Sequence, residues 1–219
     1  DWEILIVDDC SADETVQIVK NIANKEPRIR LFALEQNVGA AEARNIAFRN
    51  AKGQYIAFLD SDDLWVAEKL DKQIQFMQQN NYAFTFTDYE CISEDGSKTL
   101  YRVSAPAEMG YRRFLRNTAI GTLTVMIDRN KTGDFEMPLI RSSHDMALWL
   151  SLMRKGFKAY GLQEVLAKYR QVGTSNTASK WKAAKDVWIV YRNIEKVNWF
   201  ADGLTFAGDA VNAILKRMK

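Results

Sequence analysis

The sequence contains little cysteine and histidine, and this scarcity excludes several kinds of site. Its 219 residues include two cysteines, Cys10 and Cys91, which have neither a metal-binding spacing nor the pattern of a disulfide framework. His144 is the single histidine, so a metal site built from three histidines is excluded. Because cysteines without disulfide patterns are typical of reducing compartments, we expect a cytoplasmic protein.

Long hydrophobic runs and a strong charge of one sign are absent from the sequence as well. It has no run of about 18 apolar residues that would span a bilayer, and no segment has the pattern of a signal peptide. The 30 basic and 28 acidic residues leave a net charge of +2, and their scatter argues against a nucleic-acid partner. A chain that is 47% hydrophobic and 26% charged suits one domain with a full core.

An apolar run at residues 55–59 ends in a cluster of carboxylates, Asp60, Asp62 and Asp63. Such a run predicts a buried strand, and α/β folds bind ligands at the carboxyl ends of their strands. Neighbouring carboxylates repel one another unless a cation neutralises them, and a divalent ion that holds a diphosphate does so. These residues therefore predict a metal–phosphate site.

A second apolar run, at residues 4–7, ends in Asp8 and Asp9. If a helix and a strand cross over between the two runs, the acidic strand ends lie side by side and line one crevice. Acids after a strand are also common as helix N-caps, and Ser11 or Asp13 suits that role for the next helix. The pattern leaves both interpretations open.

The first half of the chain alternates between predicted strands and helices, whereas the second half is mixed. Strands are predicted at residues 4–7, 29–34 and 55–59, and helices at 14–25, 39–51 and 67–79. This alternation is typical of a parallel sheet with right-handed crossovers. Further on we predict a hairpin of residues 82–92 and 98–103, a short helix at 111–116, a strand at 123–127, a helix at 145–155, a strand at 165–169 and helical structure from 178 to 219.

Several short motifs are informative as a set because of their order along the chain. They occupy residues 2–13, 37–45, 53–63, 144–156 and 169–175. In order and spacing they resemble the motifs of the family 2 glycosyltransferases of GT-A fold, including a D-x-D motif at Asp60 and Asp62. The resemblance covers residues 2–176.

The resemblance implies an α/β fold of the GT-A type in a bacterial protein. This fold is expected to be a mainly parallel, Rossmann-like sheet flanked by helices. The GT-A domain is expected at residues 1–175, and a helical C-terminal extension at residues 176–219. The family's opening strand and helix are missing before Trp2, so we expect part of the nucleotide pocket to be missing with them.

The same resemblance implies an activity, a cofactor and partners. A sugar would pass with inversion from a nucleotide-diphosphate sugar, a UDP-sugar being favoured, to a hydroxyl group of a glycan or lipid-linked acceptor. Mg²⁺ or Mn²⁺ is the implied cofactor. The sequence lacks the Gln-x-x-Arg-Trp motif of processive synthases, which favours a single addition. The expected location is the cytoplasm, at the inner face of the membrane where lipid-linked acceptors lie.

Roles in donor binding follow from the resemblance position by position. Asp8 and Asp9 match the acids that contact the nucleotide base, and Arg44 matches an arginine that lies against the base or the diphosphate. Asp60 and Asp62 match the acids that hold the ribose and the metal ion between the phosphates. On an alanine-rich helix, however, Arg44 could equally be an ordinary solvated residue.

The acid that matches Asp145 is the family's general base, which removes the proton of the attacking hydroxyl. A carboxylate within hydrogen-bond reach contributes about 10² to 10⁴-fold to such a step. The alternative is that Asp145 only caps its helix. Two neighbouring positions depart from the family's pattern: Cys10 stands where glycine is common, and His144 where glutamate is usual. The first departure alters the loop if that glycine used a positive φ.

Other classes of protein remain alternatives at this point. A nucleotidyltransferase or an inactive glycan-binding relative would keep the fold and the metal-binding acids. A phosphorelay receiver also has a strand that ends in paired acids, with Asp60 as phosphoacceptor, but the chain is far longer than one receiver. The basic, amphipathic end at residues 206–219 fits either peripheral contact with an anionic membrane or packing on the domain or on a second copy of the chain.

Overall fold

The computed structural model describes residues 1–172 and Val190, and this part of the chain forms nine strands and six α-helices. The strands are β1 (Ile4–Asp8), β2 (Ile29–Ala33), β3 (Tyr55–Ala57), β4 (Leu64–Trp65), β5 (Phe84–Ile92), β6 (Thr99–Val103), β7 (Glu108–Met109), β8 (Met126–Asp128) and β9 (Ala159–Arg170). The helices are α1 (Thr15–Ala23), α2 (Ala40–Asn50), α3 (Lys69–Asn80), α4 (Tyr111–Arg116), α5 (Arg129–Thr132) and α6 (His144–Arg154), and Thr122–Thr124 form a 3₁₀ turn.

The first two strands lie parallel, as the alternating pattern predicts. The register pairs Ile4 with Ile29, and β1 ends at the buried Asp8. The connecting helix α1 begins beside Asp13, whose Oδ1 accepts the backbone N–H of Thr15 at 3.0 Å. Glu14 nevertheless occupies the N-cap position of α1, and no side chain caps that helix, so the N-cap interpretation of Ser11 or Asp13 is wrong.

A seven-stranded sheet forms the centre of the described part of the chain. Its strands lie in the order β3-β8-β5-β9-β4, while β6 pairs with β5 and β7 pairs with β9. Of these pairings β5–β9 is parallel, whereas β3–β8, β5–β8, β4–β9, β5–β6 and β7–β9 are antiparallel. The sheet is therefore mixed, which corrects the expectation of a mainly parallel sheet within an α/β fold.

The physical reason for the correction lies in how the second half of the chain connects its strands. The hairpin of β5 and β6 turns within residues 93–98, where Gly96 has a φ of +73°, and so short a connection can only join antiparallel strands. The strand–helix alternation that predicts parallel pairing ends near residue 80, before β5 and the later strands of the sheet begin. The predicted hairpin itself is confirmed.

Helix α6 supplies much of the apolar core under the sheet. Its residues 146–150, 152 and 153 are buried, because the helix packs most of its surface against its neighbours. The ring of Trp149 makes an edge contact with Phe58 at 5.4 Å between centroids and a tilted contact with Phe84 at 5.3 Å. This packing fixes where α6 begins, and therefore where Asp145 lies.

The expected C-terminal extension at residues 176–219 lies outside the described residues, as does the basic amphipathic end at residues 206–219. The division into residues 1–175 and 176–219 stays a prediction. In the part of the chain that the structure describes, no helix has both the length and the apolar character needed to cross a membrane.

Candidate active site

The two acids after β1 organise the loop at the end of that strand. Asp9 accepts the backbone N–H of Val38 with Oδ1 at 2.7 Å and that of Gly39 with Oδ2 at 2.9 Å. Asp8 is buried, and its Oδ2 accepts the N–H of Ser11 at 3.0 Å. Asp9 thus ties the end of β1 to the start of α2.

The same loop contains an L-residue in the left-handed region of backbone space. Cys10 has a φ of +68°, at the position where the resembling family commonly has glycine. A side chain with a Cβ costs about 1 kcal/mol in this conformation. The loop after β1 therefore holds Cys10 in a conformation that favours glycine.

Arg44 of α2 joins two parts of the site. Its Nη2 forms an ion pair with Oδ1 of Asp60, and its Nη1 lies 2.7 Å from Nε2 of His144. With 21% of its side chain exposed and both terminal nitrogens engaged, Arg44 is not an ordinary solvated residue, and that interpretation is wrong. The contact brings the start of α6 against the acidic loop after β3.

The three acids of that loop meet different surroundings. Asp60 is half-buried against Arg44, whereas Asp62 is exposed, and its carboxylate has no hydrogen bond or ion pair within residues 1–172. Asp63 is buried, and its Oδ1 accepts the N–H of Arg170 at 2.9 Å. Burial raises the pKa of Asp63 to about 7, and the charges of Asp60 and Asp62 act in the same direction. Asp63 is therefore engaged with the backbone of β9, whereas Asp62 faces solvent.

Arg170, at the end of β9, fixes the acidic loop from the opposite side. Its Nε donates to the carbonyl of Asp62 at 2.8 Å, and its Nη1 donates to the carbonyl of Glu94 at 2.7 Å. The Nη1 atom packs so closely on the turn of the β5–β6 hairpin that a Cβ on Gly96 would lie 3.1 Å from it. The Tyr169–Arg170 motif thus holds the loop that carries Asp62.

Asp145 lies in the first turn of α6 and contacts the 3₁₀ turn. Its Oδ2 accepts the hydroxyl of Thr122 at 2.7 Å, and Oδ1 accepts no hydrogen bond from any described residue. The N-cap position of α6 is Ser143, and no side chain caps the helix. The interpretation of Asp145 as a simple N-cap is therefore wrong.

His144 makes a contact that sequence reasoning did not predict. An arginine can only donate, so Nε2 of His144 accepts from Arg44 and carries no proton in this contact. Burial lowers the pKa of His144, and the charge of Arg44 acts in the same direction. A neutral imidazole therefore stands where the resembling family usually has a glutamate, and it orients Arg44.

The sequence marks residues 122–124 only as plausible lining of an acceptor pocket, and nothing in that segment predicts the contact of Thr122 with Asp145. Its partner Asp145 is 23 positions away, and the contact depends on how α6 packs over the 3₁₀ turn. The residues that the sequence predicted for donor binding lie on β1, α2 and the loop after β3, and Arg44 connects two of these groups.

Comparison with known proteins identifies the family. The family model described as Glycosyl transferase family 2 matches residues 1–137, which is more than half of the chain. This chain belongs to glycosyl transferase family 2.

Curated relatives agree with this membership. The glycosyltransferase is 48% identical over 217 residues to TuaG of Bacillus subtilis, named as a candidate teichuronic acid biosynthesis glycosyltransferase, and the match spans 99% of this chain and 86% of that protein. It is 38% identical over 190 residues to WfgD of Escherichia coli, named as a UDP-Glc:α-D-GlcNAc-diphosphoundecaprenol β-1,3-glucosyltransferase, with 86% of this chain and 73% of that protein covered.

Solved structures with low sequence identity show the fold. TarS of S. aureus (residues 1–349, in complex with UDP) matches with a TM-score of 0.64 and 20% identity over 87% of this chain and 56% of that chain. The mannosyltransferase PcManGT of Pyrobaculum calidifontis, in complex with GDP-Man and Mn²⁺, matches with a TM-score of 0.63 and 18% identity over 90% of this chain and 55% of that chain.

The expected GT-A fold and the expected enzyme class are therefore confirmed. The chain is a glycosyltransferase, and the alternatives of a phosphorelay receiver and a nucleotidyltransferase are wrong.

Proposed function

We propose that this glycosyltransferase moves a sugar, with inversion and in single additions, from a UDP-sugar to a hydroxyl group of a lipid-linked or glycan acceptor. One observation carries the proposal: Arg44 contacts both Asp60 and His144. The donor-side acids and the helix start that carries Asp145 consequently face one site. A donor sugar held at the acidic loop would lie next to the carboxylate that activates the acceptor.

For the donor, we assign the nucleotide to the loops after β1 and β3. Asp8 contacts the base, and Asp9 acts by holding Val38 and Gly39 at the start of α2. Arg44 stabilises the diphosphate by charge. UDP as the nucleotide is supported by the name of WfgD and by the UDP complex of TarS.

A divalent cation fits the residues of the acidic loop. No group of three His, Cys, Asp or Glu side chains that could hold a metal by itself is found among the described residues. Mg²⁺ in enzyme sites usually relies on one or two carboxylates together with substrate phosphates, and Asp62 with Asp60 provides such a pair. We therefore assign Mn²⁺ or Mg²⁺ to Asp62 and Asp60, and the Mn²⁺ complex of PcManGT supports this choice. When bound, the cation would offset the charge that develops on the departing diphosphate.

In the transfer itself, we assign the general base to Asp145. Its Oδ2 is held by Thr122, which leaves Oδ1 to accept the proton of the acceptor hydroxyl. The hydroxyl oxygen then bonds to the anomeric carbon as the bond from that carbon to the diphosphate oxygen breaks. Attack from the face opposite the leaving group inverts the configuration. The nucleoside diphosphate leaves with the electron pair of the broken bond.

The acceptor is proposed by analogy with WfgD, whose name specifies a diphosphoundecaprenol-linked sugar. A lipid-linked acceptor would place the enzyme at the inner face of the membrane, and the basic end at residues 206–219 is a candidate contact there. The division into a GT-A domain at residues 1–175 and a helical extension is part of this proposal.

The test is Asp145→Asn, which keeps the size of the side chain but removes its ability to take a proton. Transfer should fall about 100-fold or more, while Mn²⁺-dependent UDP binding stays at the wild-type level. Asp71→Asn is the matched control, because Asp71 is an exposed acid in the first turn of α3. Steady-state rates and calorimetry with UDP measure both effects.

Three outcomes would contradict the proposal in different ways. A near-wild-type kcat for Asp145→Asn would place the base elsewhere, and loss of UDP binding together with activity would make Asp145 a structural residue. Products other than a glycoside and free nucleoside diphosphate would contradict the reaction class.

A further inference from the structure

The 3₁₀ turn Thr122–Thr124 lies under the first turn of α6 and meets the carboxylate of Asp145. The Thr122 hydroxyl donates to Oδ2 of Asp145 at 2.7 Å. Thr122 is half-buried, whereas the next two residues of the turn are buried. The hydroxyl is therefore presented by a piece of backbone that is packed into the protein.

Two side chains from the segment after the acidic loop hold this turn through hydrogen bonds to its carbonyl groups. Trp65 of β4 donates through Nε1 to the carbonyl of Leu123 at 2.8 Å, and Gln73 of α3 donates through Nε2 to the carbonyl of Thr124 at 2.9 Å. Gln73 is itself oriented by Lys69, whose Nζ donates to Oε1 at 2.7 Å. All these partners lie within 11 positions after Asp62 in the chain.

The turn also closes on itself. The hydroxyl and the N–H of Thr124 both donate to the carbonyl of Gly121, at 2.6 and 3.0 Å. Gly121 is tightly enclosed, since a Cβ at that position would lie 3.1 Å from Leu123 and 3.4 Å from the ring of Tyr89. The position of the Thr122 hydroxyl is thus set by several contacts.

We propose that Thr122 is a positioning residue for the general base, whose hydroxyl holds one carboxylate oxygen of Asp145 so that the other faces the acceptor hydroxyl. This inference rests on the proposed role of Asp145. Trp65 and Gln73 hold the turn, so the segment that carries the metal-binding acids also sets the position of the base.

The physical reason is the rotational freedom of an aspartate near a helix start. A carboxylate without a fixed partner samples several rotamers, whereas proton transfer needs one geometry. A displacement of about 1 Å in a reacting group can cost 100-fold in rate. Thr122 removes this freedom without occupying the oxygen that the reaction needs.

The experiment replaces Thr122 with valine, which has the same shape but no hydroxyl, and with serine, which keeps the hydroxyl. Thr122→Val should lower kcat about tenfold, the effect of one lost hydrogen bond to a charged group, with the donor KM unchanged. Thr122→Ser should restore most of the rate. Thr99→Val is the matched control, because Thr99 also donates to a carboxylate, that of Glu90, on the exposed strand β6.

The comparison with Asp145→Asn separates this inference from the proposed function. If Thr122 acts through Asp145, adding Thr122→Val to Asp145→Asn should cause little further loss of kcat. If Asp145→Asn keeps its activity, the assignment of Asp145 as the base fails, and the role of Thr122 fails with it. If Asp145→Asn is impaired while folded Thr122→Val keeps the wild-type kcat, only the role of Thr122 is overturned. Should the valine variant fail to fold, Thr122→Ala, which adds no bulk, decides by the same criterion.

Discussion

Asp60, Asp62 and Asp63 are neighbours in sequence, yet each carboxylate meets a different environment. The first pairs with Arg44, the second faces solvent, and the third is buried on the backbone of Arg170. Sequence alone predicts the cluster but not this division, because burial depends on strands β5 and β9, which come later in the chain. Because Asp63 is buried and its Oδ1 already accepts the N–H of Arg170, we assign the cation to Asp60 and Asp62 alone.

At His144, two substitutions distinguish a side chain that accepts a hydrogen bond from Arg44 from one that only fills the same space. His144→Leu removes the acceptor for Nη1 of Arg44, whereas His144→Gln keeps an oxygen acceptor within the same reach. We expect His144→Leu to weaken UDP binding about fivefold to tenfold, the effect of one charge-assisted hydrogen bond, and His144→Gln to stay near the wild type. Calorimetric UDP titrations with Mn²⁺ measure this. Equal affinities of the two variants would show that His144 does not orient Arg44.

At the scale of elements, the sequence predicted most helices and the strand ends that carry the acids. It missed β4, because a strand of two residues has no periodicity and exists only by pairing with β9. It also placed a strand at residues 123–127, where the structure has a 3₁₀ turn followed by β8. The carbonyls of Leu123 and Thr124 bond to the side chains of Trp65 and Gln73, which are distant in sequence, so they are not available to a sheet.

Helix α3 carries a buried lysine whose titration should be visible in the pH dependence of stability. Lys69 is fully buried, its Nζ lies 4.5 Å from the centroid of the Trp65 ring, and burial lowers its pKa to about 7. Between about pH 7 and the ordinary lysine pKa, the unfolded chain therefore binds more protons than the folded protein. The free energy of unfolding should consequently rise with pH over this window.

Lys69→Met should remove that rise. Its free energy of unfolding, measured by urea titration from about pH 7 to about pH 9.5, should gain less with pH than that of the wild type. Lys72→Met is the control, since Lys72 lies exposed on the same helix in a surface pair with Glu164 that contributes little. Parallel pH curves for wild type and Lys69→Met would show that Lys69 is charged in the folded state.

Across the whole molecule, the candidate site depends on contacts between distant parts of the chain. Arg44 connects α2 with the acidic loop and α6, Arg170 connects β9 with that loop, and Asp9 connects β1 with α2. A ligand that binds across these elements binds the folded state alone. Such a ligand therefore stabilises the folded state against unfolding by mass action.

Nucleotide and metal should therefore raise the melting temperature together. UDP with Mn²⁺ at about 100 times its dissociation constant should add about 2.7 kcal/mol, or about 5 to 10 °C for a chain of this size. UDP with a chelator should give a smaller shift, because the phosphates then lack their link to Asp62, and GDP should stabilise less than UDP. In Asp62→Ala the shift with UDP should be the same with and without Mn²⁺. Asp134→Ala, at a side chain that is 94% exposed, should behave as the wild type.

A wild-type shift that chelator leaves unchanged would contradict the assignment of the cation to Asp60 and Asp62, and a larger shift with GDP would contradict UDP as the nucleotide.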